Sequence, residues 1–203
     1  MALVLIAGQS GSGKKLVADQ LIEKHGYGCV TTVSDRPKVN LDELSQKSCF
    51  ITSGVFKSMV EKGMFMEHST HRGYNYGLTR TKLLNSLEEH TNAVVIMTPT
   101  GVAKLRKYLI ANNMPHIAVY IETDTQDCVK NLTSAYDKNS LSREEYISRL
   151  TALATSEASW SNDAKKLNTF DIIMEMDYDY EDTAIILNEQ VERMTRVKKA
   201  PVA

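Results

Sequence analysis

The sequence predicts an α/β fold in which helices cover both faces of a parallel sheet. Three short runs, 2–7, 93–98 and 116–123, are largely apolar, and helix-like segments separate them along the chain. A strand buried on both faces shows no alternation of polar residues, and parallel neighbours need a crossover helix. The 203 residues suffice for one sizeable core, or for one core with a lid and an inserted subdomain.

Each predicted element follows from the spacing of its apolar residues. The predicted strands are 2–7, 29–33, 93–98, 116–123 and 170–176, and the predicted helices after the first are 101–113, 125–136, 142–165 and 180–196. The predicted apolar helix faces consist of Leu16, Val17, Leu21 and Ile22 in the first helix, Val102, Leu105, Leu109 and Ile110 in 101–113, and Ile186, Leu187, Val191 and Met194 in 180–196.

A glycine-rich segment joins the first strand to the first helix. Its glycines let backbone N–H groups turn toward one point, and the helix N-terminus adds the positive end of a dipole. Lys14 follows these glycines and can reach the outer phosphates of a nucleotide. The pattern predicts a P-loop that binds phosphate through Gly8, Ser10, Gly11, Ser12, Gly13, Lys14, Lys15 and Leu16. The alternative is a flexible Gly/Ser connection without a ligand.

Lys15 occupies the position at which a P-loop has Ser or Thr to hold Mg²⁺. Its side chain either lies beside the phosphates as an internal cation or turns outward along the helix. Glu122 and Asp124, near the end of a predicted strand, are substitute carboxylates for a metal or, alternatively, helix-capping and surface acids. The sequence therefore assigns no residue to a metal site.

Composition excludes several function classes. The net charge of −1 does not indicate nucleic-acid or membrane binding. Cys29, Cys49 and Cys128 lack metal-ligand spacing, which is typical of reduced thiols in a cytoplasmic protein. No apolar run approaches the roughly 18 residues of a membrane span, and the apolar start is too short for a signal peptide.

Residues 34–80 interrupt the alternation of strands and helices. The stretch contains Pro37, many polar residues and a cluster of charged and aromatic side chains, Phe65, Glu67, His68, His71, Arg72, Tyr74 and Tyr76. An insertion at this point of the fold is a suitable place for a substrate-binding subdomain; a plain surface excursion is the alternative.

Several segments, in this order, resemble the guanylate kinase family over roughly residues 3–195. They are the P-loop, 30–38 (the family's Ser-x-Thr-Thr-Arg-x-Pro-Arg), 56–67 (the helix before a base-reading glutamate), 73–77 (Gly-Asn-Tyr-Tyr-Gly), and Arg149 with Leu150. The resemblance implies a P-loop kinase fold with an inserted nucleotide-monophosphate-binding subdomain and a lid. It implies phosphoryl transfer from ATP, with Mg²⁺, to GMP, dGMP or a related, modified deoxynucleotide.

The resemblance also implies a domain division and residue roles. A single domain would span 1–198, with core segments 1–33, 81–130 and 165–197, the insert at 34–80, the lid at 131–150 and a tail at 199–203. Catalytic roles would fall to Lys14, Arg149 and the lid residue Lys138. The monophosphate's phosphate would be bound by Thr31, Arg36, Lys38 and Tyr76, and the base by Glu67 and Thr79. For these residues the alternatives are surface ion pairs, solvated loops and core packing.

Departures from the family pattern leave two further functions open. The family has acidic residues where this chain has 96–99, a tyrosine at Ser48 and an asparagine at Met176. It has an arginine-rich lid where this chain has 134–139, and only Lys138 or Arg143 could replace a lid arginine. Its guanine-reading hydroxyl falls on Leu78, unless Thr79 takes that role with a shift of one residue. A guanylate-kinase-like module that binds a nucleotide or protein without turnover is therefore the alternative to a kinase. A small P-loop kinase for a non-nucleotide metabolite is the third interpretation.

Overall fold

The computed structural model describes residues 2–37, 49–176 and 179–197. Its elements in chain order are β1 (Ala2–Ala7), α1 (Lys14–His25), β2 (Gly28–Cys29), β3 (Val33–Ser34), β4 (Cys49–Phe50), α2 (Ser53–Glu61), β5 (Phe65–His71), β6 (Tyr74–Thr79), α3 (Arg80–Glu89), β7 (Asn92–Ile96), α4 (Pro99–Ala111), β8 (His116–Glu122), α5 (Thr125–Asp137), α6 (Arg143–Ala154), α7 (Trp160–Lys166), β9 (Ile172–Glu175) and α8 (Tyr180–Val197).

Within the described residues, five strands form one sheet in the order β2-β7-β1-β8-β9, and every pairing in it is parallel. β1 is its central strand and is buried along its whole length. Leu3 and Leu5 pack into the core on one face, and Val4 and Ile6 pack into the core on the other. The predicted fold class is confirmed, because apolar strands covered on both sides need this layered arrangement.

The predicted strand 29–33 is wrong as a single element. The structure divides it into β2, which joins the parallel sheet, and β3, which joins a second sheet in the order β4-β3-β6-β5. β5 and β6 form an antiparallel hairpin in this second sheet, with a register shift between Phe65 and Glu67. A run of five residues is too short to reveal that it leaves one sheet for another.

The predicted helix 142–165 is also interrupted. Residues 155–159 form a turn between α6 and α7, and the Glu157 N–H donates to the Ala152 carbonyl at 2.8 Å across that turn. Three residues assigned to apolar helix faces, Leu16, Ile110 and Ile186, are about half or more exposed. Within the described ranges, no helix has the length and apolar character needed to cross a membrane.

Candidate functional site

The P-loop connects the end of β1 to the start of α1, at the carboxyl edge of the parallel sheet. Gly11 has a φ of +81°, in the left-handed region that favours glycine. A Cβ on Gly11 would lie 2.4 Å from the Cys128 carbonyl oxygen, and one on Gly8 would lie 2.7 Å from that of Ile121. Both positions therefore require glycine, since the loop is packed directly against β8 and α5.

Lys14 is the first residue of α1, and its ammonium group folds back over the loop. Its Nζ donates to the Gln9 carbonyl oxygen at 2.9 Å. Burial lowers the pKa of Lys14 to about 8, although the nearby Glu157 carboxylate opposes this shift. Lys14 is therefore largely protonated at neutral pH and places a positive charge beside the P-loop.

Glu157, in the turn between α6 and α7, binds the P-loop through its carboxylate. Its carboxylate accepts hydrogen bonds from the Ser10 backbone N–H at 2.5 Å and the Ser10 hydroxyl at 2.9 Å. His71 Nε2 lies 3.0 Å from the same carboxylate, and Glu157 is only 1% exposed. Burial alone would raise the pKa of Glu157, but its bonds to His71 and Ser10 hold that pKa below its usual range.

Three guanidinium groups converge on a second buried carboxylate, that of Glu145 in α6. Glu145 Oε1 lies 2.8 Å from Arg149 Nε, 3.0 Å from Arg72 Nη1 and 3.5 Å from Arg36 Nη1. Burial would raise the pKa of Glu145, but the charges of Arg149 and Arg72 keep it below its ordinary value. We call these three arginines the arginine cluster.

Tyr76 on β6 lies beside the arginine cluster. Burial raises the pKa of Tyr76, while the charges of Arg36 and Arg72 act in the opposite direction. β6 pairs with β3 through Tyr76 and Ser34, which places this ring next to the segment that carries Arg36. The structure thus brings together three residues predicted from the sequence: Arg36, Tyr76 and Arg149.

A pair of polar side chains fixes the loop that carries Arg36. Asp35 accepts a bond from the Asn75 backbone N–H at 2.7 Å and another from the Asn75 side-chain amide at 2.8 Å. Arg36 itself lies over the ring of Phe50, with its guanidinium carbon 5.8 Å from the ring centre. These contacts connect the segment after β3 to the β5–β6 hairpin and to Phe50, and so fix the position of the Arg36 guanidinium.

Glu67 on β5 forms a separate polar site at the N-terminus of α4. It is buried, and its Oε1 has no hydrogen-bond partner within the described part of the chain. A Cβ on Gly101 would lie 3.4 Å from this oxygen and 3.3 Å from Thr98 Oγ1, so a side chain there would fill the space in front of the carboxylate. Burial raises the pKa of Glu67. A buried acceptor without a partner is suited to a ligand that brings N–H donors.

The remaining predicted ligand residues lie in different surroundings. Lys15 and Leu16 are exposed, so Lys15 takes the outward orientation. Ser12 Oγ is buried and has no partner among the described residues. The Thr79 hydroxyl caps α3 by accepting a bond from the Lys82 N–H at 3.4 Å. Thr31 is half-buried between β2 and β3, and Lys38 lies outside the described residues.

Lys138 is exposed at the end of α5, in an open groove that it lines with Val129, Thr133 and Asp137. Its predicted catalytic role stays a prediction. Arg72, Glu145 and Glu157 belong to the site and were missed as functional residues. The sequence carried a signal only for Arg72, which stood in the charged and aromatic cluster of 34–80.

Among the described residues near the P-loop, Lys15 and the carboxylates predicted as substitutes are not arranged as a magnesium site. Lys15 offers no ligand, and Glu122 is engaged by Lys165 at 2.7 Å and by the Ser161 hydroxyl. Asp124 caps α5 by accepting a bond from the Gln126 N–H at 2.7 Å. Over residues 2–37, 49–176 and 179–197, no group of three or more His, Cys, Asp or Glu side chains is arranged to hold a metal ion.

Comparisons with known proteins agree with this fold. A protein-family model described as guanylate kinase matches residues 1–194. A guanylate kinase of Clostridium perfringens (strain SM101 / Type A) is 28% identical over 108 residues, which cover 52% of this chain and 49% of that protein. A guanylate kinase of Caldanaerobacter subterraneus subsp. tengcongensis is 24% identical over 159 residues, covering 71% and 77%. The chain thus spans about half the length of the Clostridium perfringens relatives.

Among solved structures, a guanylate kinase from Anaplasma phagocytophilum matches the fold with a TM-score of 0.63 and 15% identity. The match covers 100% of this chain and 87% of that one. An uncharacterized protein from Eubacterium ventriosum matches with a TM-score of 0.52, 14% identity, and coverage of 95% and 99%. At these identities the likeness concerns the fold alone.

Proposed function

Because the chain belongs to the guanylate kinase family, we propose that it is a nucleoside-monophosphate kinase. It would transfer the γ-phosphoryl group of ATP to GMP, dGMP or a related, modified deoxynucleotide. The observation that carries this proposal is the arrangement of two sites for phosphate. Lys14 lies at the P-loop, and Arg36 and Arg149 meet at the Glu145 carboxylate, with Tyr76 beside them.

Each site has a role in the proposed reaction. The P-loop N–H groups and Lys14 would bind the phosphates of ATP, and the arginine cluster with Tyr76 would bind the phosphate of the acceptor. Thr31 and Lys38 would complete the acceptor site, with 34–80 as the monophosphate-binding insert and 131–150 as the lid. Three guanidinium groups are gathered at this one carboxylate, and such a concentration of positive charge suits a phosphate dianion.

In the transfer, an oxygen of the acceptor phosphate forms a bond to the γ-phosphorus. The bond from that phosphorus to the oxygen bridging it to the β-phosphate breaks, and ADP leaves. The chemistry depends on positioning and on neutralisation of charge, which Lys14 and Arg149 are placed to supply. Mg²⁺ would enter with the ATP phosphates, since it commonly keeps its waters and substrate oxygens as ligands.

Glu67 would select the base. Its buried carboxylate has an acceptor without a partner in the described residues, and guanine offers two neighbouring donors, N1–H and the 2-amino group. Adenine has no donor at N1, so it would leave the carboxylate partly unsatisfied. Thr98 stands at the end of the segment where the family has acidic residues, and its hydroxyl caps α4. The guanine preference therefore rests on Glu67.

The test is an assay of ADP release with ATP and Mg²⁺, run over all common nucleoside and deoxynucleoside monophosphates. We expect turnover with guanine nucleotides and much weaker turnover with adenine nucleotides. Binding of GMP or ATP without ADP release would contradict the kinase and establish the alternative, a binding module. The exposed Lys15 and the groups engaging Glu122 are the observations that favour this alternative.

Replacing Glu67 with Gln should raise the apparent KM for the guanine monophosphate roughly 100-fold, with a smaller effect on kcat. The amide presents a donor toward a donor of the base, and two charge-assisted hydrogen bonds are lost. Steady-state kinetics with GMP varied at saturating ATP measure this effect. Glu61→Gln, on the exposed surface of α2, is the matched control. An unchanged KM in the Glu67 variant would remove the base-reading role.

A further inference from the structure

Arg72 lies at the tip of the β5–β6 hairpin in a conformation that arginine rarely adopts. Its φ is +50°, and Gly73 follows with a φ of +79°. Turns with two positive φ values favour Asn, Asp or Gly at the first position, and a bulky residue there costs roughly 1 kcal/mol. The side chain is nevertheless only 11% exposed and points to the arginine cluster. Turn formation therefore does not explain why an arginine occupies position 72, whereas a function of its side chain does.

The donors of Arg72 are only partly used by the protein. One of them, Nη1, bonds to Glu145 Oε1 at 3.0 Å, an oxygen that Arg36 and Arg149 approach as well. Arg72 Nε is buried and has no hydrogen-bond partner in the described residues. A guanidinium has five N–H donors, and a phosphate accepts two of them at once. Arg72 thus retains donors for an anion.

Arg72 also lies between the two phosphate sites. The preceding residue, His71, contacts Glu157, whose carboxylate accepts bonds from Ser10 of the P-loop. Arg72 itself contacts Glu145 on α6, beside the proposed acceptor site. In agreement with this position, the charge of Arg72 acts on both Lys14 and Tyr76. Arg72 is therefore placed to reach a group that moves from one site to the other.

We propose that Arg72 is a catalytic residue that binds the phosphoryl group during its transfer. It would supply a guanidinium that the first part of the lid lacks, since residues 131–142 contain no arginine. Its N–H donors would neutralise the charge on the equatorial oxygens while the acceptor oxygen bonds to phosphorus and ADP departs. This inference rests on the proposed function and adds to it a positively charged side chain of the β5–β6 hairpin that contacts the transferred group.

The first experiment measures kcat and KM of Arg72→Gln with ATP and GMP. We expect kcat to fall about 10³-fold, as for other phosphoryl-transfer arginines, while both KM values change less than about threefold. Arg72→Lys should recover little, because an ammonium cannot form the bidentate contact. Arg80→Gln, which removes an exposed arginine that bonds to the Tyr108 hydroxyl at 3.3 Å, is the matched control.

A double-mutant cycle with Glu145→Gln separates catalysis from a structural ion pair. If Arg72 acts only by pairing with Glu145, the Arg72 replacement has no further effect once Glu145 is Gln. If Arg72 binds the phosphoryl group, the loss of about 10³-fold persists in the Glu145→Gln background. Thermal unfolding of each variant checks that it is folded.

A binding measurement gives a second readout that does not depend on turnover. Aluminium fluoride with ADP and GMP mimics the planar phosphoryl group and should bind the wild type more tightly than ADP and GMP do without it. Calorimetry should show that Arg72→Gln loses this gain in affinity, while ADP alone binds to the variant as it does to the wild type. A wild-type enzyme without turnover on any monophosphate would overturn the proposed function and this inference together. Wild-type turnover with an Arg72→Gln kcat within threefold would overturn the role of Arg72 alone.

Discussion

Lys14→Ala is expected to abolish phosphoryl transfer, lowering kcat by 10³-fold or more, on the order of other losses of phosphate-binding cations. The side chain is the P-loop's cation, held over the loop by its bond to the Gln9 carbonyl oxygen. Its removal takes a positive charge away from the transferred phosphoryl group, and the methyl group of Ala cannot replace that charge. The coupled ADP-release assay at saturating ATP and GMP measures the loss. Lys24→Ala, on the exposed side of α1, is the control.

The wild-type pH profile tests the same residue without mutation. Burial lowers the pKa of Lys14 to about 8 in the free protein. The protonated form is the one that binds phosphate, so kcat/KM for ATP should be maximal below this pH and should fall as pH rises through it. Full activity of Lys14→Ala, or a profile that stays flat through this range, would contradict the assignment of Lys14.

Glu157→Ala is expected to lower the free energy of unfolding by about 3 kcal/mol or more. The carboxylate accepts two bonds from Ser10 and contacts His71, and the Glu157 residue is 1% exposed. Its loss leaves a buried N–H and a buried hydroxyl without their acceptor and removes the anion that faces Lys14. Urea denaturation followed by circular dichroism measures the change, with the midpoint and slope compared with the wild type.

The control for this prediction is Glu189→Ala, which breaks a surface pair with Arg193 at 3.6 Å. Because both side chains are largely exposed, this change should cost less than about 1 kcal/mol. Glu157→Gln keeps an oxygen acceptor, so its loss of unfolding free energy should lie between those of Glu157→Ala and Glu189→Ala. If the free energy of unfolding of Glu157→Ala lies within about 1 kcal/mol of the wild-type value, the turn does not stabilise the P-loop.

Local patterns in the sequence were sufficient for the parallel sheet and for the P-loop. The apolar run 2–7 became the central strand β1, because a continuous apolar segment can only be buried on both faces. The glycine spacing before Lys14 identified the loop, since the conformations it needs are open to few other residues. Arg36, Tyr76 and Arg149 were found through the family resemblance, and the structure brings them to one place.

Tertiary structure alone decided how the two sites are held. Ser10 and Glu157 are 147 residues apart, and Arg72 and Glu145 are 73 apart, so no local period or spacing connects them. The turn that places Glu157 against the P-loop lies inside the segment 142–165, which the sequence predicted as one helix. The direction of Lys15 depends on which face of α1 packs on the sheet. The sequence by itself therefore determined which chemical groups this chain carries at the proposed phosphate sites. Packing between distant elements decided which carboxylates meet these groups, because such contacts depend on how layers stack and not on neighbouring residues.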